Sequence, residues 1–399
     1  MKFKIGKMQA LIGLSFYFIT LANAKWLYHI GHNTKILYIG LFFLMVAVAW
    51  TWFCYERYKL KTVLRTITYN VLFIVGIILQ NLDIKNKIRL IISMTIIAIL
   101  AGMGRTIFRD IRDVFIVSKS VIYAGISVFI LSLLTKTSMG TQVNDVGRLL
   151  ETGFDMGFYH KNYFAAAIIV SFVGIYLNYK YGKKRRKLLY LMGIELLLLL
   201  LSGSLGSFMI FASFIFVDNL CMIRKIKKDQ RKVILIVILL FSGVVGLLAY
   251  SYLIKHSATY MYRIRGLTNY LNKYHNNINS MLFGIAGVAY SGADYGTIIR
   301  SIVGWDGTVE LAVLNILIKN GIIGLIAYAL IYLHYIRTVL VGKESLIFFG
   351  MAIITMTLVS MLTENYMVIT NIVFGVFFYC FMSSISLWVT PGTGELKNE

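Results

Sequence analysis

The feature that most constrains this chain is a succession of apolar runs, at 8–24, 36–54, 66–81, 88–103, 114–134, 158–178, 188–202, 204–223, 233–254, 310–336, 345–362 and 371–390. Most approach the length of about 20 residues that a helix needs to cross a bilayer. Within hydrocarbon each backbone N–H and C=O must be satisfied inside the segment, so such runs fold as helices. The expected fold class is an all-α polytopic membrane protein with about twelve transmembrane helices. Only Ser202 and Gly203 part the seventh run from the eighth, which predicts a tight hairpin, because a fused pair would far exceed one bilayer thickness. Composition agrees, since the 399 residues are 58% hydrophobic and only 14% charged, with a mean hydropathy of +0.75, outside the range of soluble domains.

Charge sets the expected orientation. The loops holding Lys2 to Lys7, Arg57 to Arg65, Arg105 to Arg112, Lys180 to Lys187, Arg224 to Lys232, Arg337 to Lys343, and Lys397 carry more than half of the 40 lysines and arginines. Basic loops stay in the cytoplasm, so both termini are expected inside. The net charge of +23 then reads as loops facing anionic membrane lipids. Nucleic acid is not an expected partner, because no basic segment is long enough to form a domain. Ala22-Asn23-Ala24 resembles a signal-peptidase site, yet an uncleaved first span is the favoured reading. Cys54, Cys221 and Cys380 fall at or inside spans and lack metal-site spacing, so neither a metal nor a cofactor nor an extracellular disulfide is expected.

No composition break divides the chain, so residues 1–399 read as one integral domain: N-terminal spans 1–134, an outer loop 135–161, central spans 158–254, a long extracytoplasmic loop 255–309 between the ninth and tenth spans, and C-terminal spans 310–390. The long loop holds Arg263, Arg265, Lys273, Asp294, Arg300, Trp305 and Asp306, and returns to the membrane through Glu310. Met261, Ile264, Leu267 and Leu271 recur at helical spacing, which predicts a short helix at the outer surface. The smaller loop carries Arg148, His160 and Lys161, and Asn162 is placed to cap the sixth span. Two charges lie inside spans, where they are costly. Glu195 and Lys319 are expected to neutralise each other, or Lys319 to meet an anionic lipid headgroup.

Four segments carry a resemblance. Gly157-Phe-Tyr-His160-Lys-Asn162-Tyr-Phe-Ala165, preceded by Arg148, looks like the arginine, glycine and "H-x-N" segment of the O-antigen ligase and Wzy-type polysaccharide polymerase superfamily. Leu196 to Ser207 resembles its leucine run ending in a Ser-Gly-Ser turn, and Arg263 to Gly287 its arginine-bearing outer loop closing on "L-x-G-x-G". Glu310 to Tyr328 is similar to the following span with "L-x-x-G-x-x-G-L". The resemblance covers residues 140–390; the first five spans match in hydropathy alone.

The resemblance implies a type C glycosyltransferase acting on the outer face of the bacterial cytoplasmic membrane. Its substrates would be oligosaccharides linked to undecaprenyl pyrophosphate, with a flippase and a chain-length regulator as partners. Arg148 and Arg265 match the family's outer-loop arginines and are expected to hold the pyrophosphate, with Arg263 next. Asp306, Glu310 or His160 would take the acceptor proton. Asn162, Lys161 and Lys319 are further expected substrate contacts, and Tyr270 and Trp305 would offer flat faces to sugar rings. Two departures matter. Leu205 stands where members commonly have arginine, so no phosphate role passes to it. Asp306 and Glu310 stand where ligases have histidine, which favours polymerase over ligase. The rival classes are a ligase-type glycan transferase and a lipid-linked oligosaccharide flippase, the latter expected to line a central cavity with charge.

Overall fold

The computed structural model describes residues 6–55, 60–80, 84–143, 151–182, 185–220, 258–285, 309, 311–340 and 344–389. It is a helical membrane fold. In chain order the helices are α1 (Lys7–Leu21), α2 (Lys25–His29), α3 (Asn33–Tyr55), α4 (Leu60–Leu79), α5 (Ile84–Met103), α6 (Ile111–Leu134), α7 (Lys161–Tyr181), α8 (Arg186–Ser202) and α9 (Leu205–Asn219). They continue as α10 (Ala258–Tyr274), α11 (Ile278–Phe283), α12 (Ala312–Leu340), α13 (Glu344–Thr363) and α14 (Val373–Val389). Among the described residues six helices, α3 to α7 and α12, are long and apolar enough to cross a membrane, and α1, α9, α13 and α14 contain shorter apolar stretches. The run at 233–254 lies outside the described residues. The chain turns between α8 and α9 at Gly203, which is in the left-handed conformation, but in place of a packed hairpin α8 lies chiefly against α7 and α9 against α13.

One element departs from the all-α expectation. Gly140–Val143 (β1) pairs antiparallel with Glu151–Phe154 (β2), a ribbon inside the 135–161 loop that packs against the end of α8. Aromatic packing builds the core around α14, whose residues 373–385 are all buried, as a helix apolar on every face should be. Phe377 meets Phe16 of α1 at 6.0 Å and Phe108 at 5.3 Å between ring centroids. The segment Ala22-Asn23-Ala24 is sealed into this body: Asn23 Nδ2 donates to Asn371 O at 2.9 Å, and Lys25 Nζ pairs with the buried Asp155 at 2.7 Å.

The apolar run at 310–336 hides a break. Inside α12, Gly321 has φ 61° and ψ −158°, which interrupts the helix and frees carbonyls just before it. An unsatisfied carbonyl in an apolar interior costs several kcal/mol, and three of them find donors. The Tyr270 hydroxyl reaches Leu317 O at 3.1 Å, Ile285 N donates to Ile318 O at 2.7 Å, and Gln80 Nε2 donates to Lys319 O at 2.9 Å. Asn320 Nδ2 adds a bond to Phe73 O on α4 at 2.9 Å. The chain entering from α11 thus plugs the break, so the "L-x-G-x-G"-like and "L-x-x-G-x-x-G-L"-like segments are partners. Tyr270→Phe should lower stability by about 1–3 kcal/mol, the cost of a buried acceptor left unmade. An unchanged thermal melting temperature in detergent would exclude this bracing role.

Candidate functional site

At the end of the bundle where α7 begins, α8 turns into α9 and α13 ends, polar side chains from four segments meet. Asn162 is not the cap of α7, contrary to expectation: His160 holds the cap, its Nδ1 accepting from Asn162 N at 3.2 Å. With the cap taken by His160, the Asn162 side chain, which leans toward the start of α7, bridges two neighbours. Its Nδ2 donates to Glu364 Oε2 at 3.2 Å, and its Oδ1 accepts from Ser204 Oγ at 2.9 Å. Ser204 Oγ lies 2.9 Å from Ser207 Oγ, which lies 2.8 Å from the Tyr366 hydroxyl, and that hydroxyl reaches back to Asn162 O at 3.0 Å. Gly206 permits this closeness, since a Cβ there would collide with the Glu364 carboxylate.

Glu364 is the acid of the cluster, and its side chain is only 4% exposed. A buried carboxylate needs a partner to stay ionised, and Arg263 supplies it, Nη2 lying 3.4 Å from Glu364 Oε1 while Nη1 donates to Thr363 O. Lys161 is also buried, with Nζ 3.5 Å from Gly203 O. Burial and the neighbouring carboxylate push the Tyr366 hydroxyl well above its ordinary pKa, so it serves as a neutral donor.

The expected site residues divide. Asn162, Lys161, His160 and Arg263 come together. Arg265 stands two positions beyond Arg263, more than half a helical turn round α10, and is exposed with Nη2 3.8 Å from Met261 Sδ. Tyr270 is fully buried against Tyr274 and α12, so its ring lacks the open face a pyranose would need. Glu195 and Lys319 form no ion pair: α8 packs on α7 and α9, whereas α12 packs on α4, α11 and α13. Glu195 is buried on α8 against Ser171, and Lys319 lines a cavity elsewhere. Arg148, in the connection of the ribbon, and Trp305, Asp306 and Glu310 lie outside the described residues. Glu364 and Tyr366 were not anticipated, because Thr363-Glu364-Asn365-Tyr366 reads as a short turn between two spans. The available signal was a lone acid in the short turn between two apolar runs.

No protein-family model matches the chain, and no curated protein matches it.

Proposed function

We propose that this chain is a polysaccharide polymerase that joins undecaprenyl-pyrophosphate-linked repeat units on the outer face of a bacterial cytoplasmic membrane. The observation that carries the reading is the meeting of three family-like segments, the "H-x-N" start of α7, the Ser-Gly-Ser turn and the arginine-bearing helix α10, around Glu364. Resemblances scattered along the chain would have no reason to share one network unless they serve one site. In the proposed reaction a sugar hydroxyl of one lipid-linked unit attacks the anomeric carbon of the other. The bond from that carbon to the pyrophosphate oxygen breaks, its electron pair leaves with the pyrophosphate, and the hydroxyl proton passes to a carboxylate or imidazole. Glu364 joins Asp306, Glu310 and His160 as a candidate for that proton. Arg148 and Arg265 are proposed to hold the departing pyrophosphate, and Arg263, already engaged by Glu364 and Thr363, to fix the carboxylate in place. A flippase would supply the lipid-linked units, and a chain-length regulator would act beside the enzyme.

Reconstituted with lipid-linked repeat units, the protein should produce a ladder of lengths. Transfer of single units only would replace the polymerase reading with a ligase, and no product at all with lipid-linked units crossing the bilayer would point to a flippase. Arg148→Ala and Arg265→Ala should each abolish elongation while the protein remains in the membrane. Wild-type ladder lengths in both would reject the pyrophosphate assignment.

A further inference from the structure

The connection that carries Glu364 and Tyr366 into the polar cluster runs on through Ile369, Thr370 and Asn371, and these three close a separate cavity of about 240 Å3 against α3, α5 and α12. Its lining mixes two kinds of chemistry. The polar part holds Arg89 of α5 and Lys319 of α12, together with Ser93, whose Oγ lies 3.2 Å from Thr370 Oγ1. No carboxylate lines it, and neither Arg89 nor Lys319 makes an ion pair among the described residues. Cations kept beside an apolar interior without a counter-charge are costly. An anion bound in the cavity would offset that cost. Among the described residues Asn371 Oδ1 is buried with no partner, while the Asn371 backbone oxygen accepts from Asn23.

The apolar part of the lining is formed by Leu37 and Leu41 of α3 and Ile92 and Ile96 of α5. A free anion would meet the polar groups and leave the apolar wall bare. An amphiphile fills both.

We propose that this cavity binds the phosphate headgroup of an outer-leaflet lipid, with Arg89 and Lys319 clasping the phosphate and the lipid chain lying along Leu37, Leu41, Ile92 and Ile96. It is separate from the Arg263 and Glu364 cluster, and it stands whether or not the chain polymerises glycans, because binding is read without turnover. Its position at the far end of the connection that bears Glu364 gives bound lipid a route to influence that cluster.

The test uses the full chain in lipid nanodiscs of a zwitterionic phospholipid, with three probes: a polyprenyl monophosphate, phosphatidylglycerol and inorganic phosphate. Native mass spectrometry and a thermal shift read binding. The lipid phosphates should bind saturably and raise the melting temperature. Arg89→Ala and Lys319→Ala should each weaken them about tenfold, the effect of one lost charge-assisted contact, and the double variant should abolish saturable binding. Arg89→Lys and Lys319→Arg keep the charge and should keep binding, which guards against an alanine variant that fails to fold. Tighter polyprenyl phosphate identifies an isoprenoid carrier as the source, and tighter phosphatidylglycerol a bulk phospholipid; either ranking supports the site. Equal lipid affinity in wild type and the double variant overturns the proposal. So does competition by inorganic phosphate as strong as that of the lipids, which would make the cavity a simple anion site.

Discussion

Replacing Glu364 by alanine is expected to stop elongation and to destabilise the protein, and the two effects can be separated. The carboxylate touches Arg263 and Asn162, and both ionic side chains are nearly sealed from solvent, at 5% and 4% exposure. Removing one member of a buried pair strands the other charge, at a cost of about 3–5 kcal/mol. Thermal melting in detergent should therefore fall sharply for Glu364→Ala and for Glu364→Gln. The double variant Arg263→Gln with Glu364→Gln removes both charges and keeps similar shapes, so it should recover much of that stability. Elongation should not recover with it. If Glu364 accepts the hydroxyl proton, loss of the carboxylate costs about a hundredfold or more in rate, the usual contribution of a positioned base. Wild-type elongation in the stable double variant would reduce Glu364 to a structural role.

The reach of the sequence follows from which interactions are local. Apolar runs locate helices because bilayer thickness and backbone hydrogen bonding leave no alternative, and Met261, Ile264, Leu267 and Leu271 locate α10 by spacing alone. Side-chain direction at helix ends is different. His160, Lys161 and Asn162 are adjacent, and which one caps α7 depends on where Glu364 and Ser204 stand, more than 200 and about 40 residues away. The choice between Arg263 and Arg265 likewise turns on Thr363 and Glu364, contacts that no pattern within α10 reveals. Tyr270 looked like a sugar platform because exposed loops use aromatic rings that way, yet the break in α12 requires a donor and takes its hydroxyl. The break itself was masked by composition, since Ile-Lys-Asn-Gly-Ile-Ile-Gly inside a long apolar run reads as continuous helix.

That break yields the second large effect. Gly321 combines φ 61° with ψ −158°, a region open almost only to glycine, where other residues pay about 1–3 kcal/mol. An added Cβ would also collide with the backbone of Leu282 and Phe283, atoms that cannot turn aside as a flexible side chain can. Gly321→Ala should therefore cost about 3 kcal/mol or more once strain and collision combine. Relief by straightening α12 is blocked, because the plug at residues 282–285 supplies and receives bonds there: Ile285 N to Ile318 O, and Gln80 Nε2 to Phe283 O. Expelling that plug would shift α11 and α10, and with them Arg263. The expected outcome is a large fall in melting temperature with loss of any elongation. Gly193→Ala is the matched control, because nothing lies within 4 Å of a Cβ there and the position is helical. That variant should be neutral or gain up to about 1 kcal/mol from helix propensity. Equal melting of the Gly321 and Gly193 variants would mean that α12 can run straight past residue 321, and the coupling between the plug and Arg263 would fall with it.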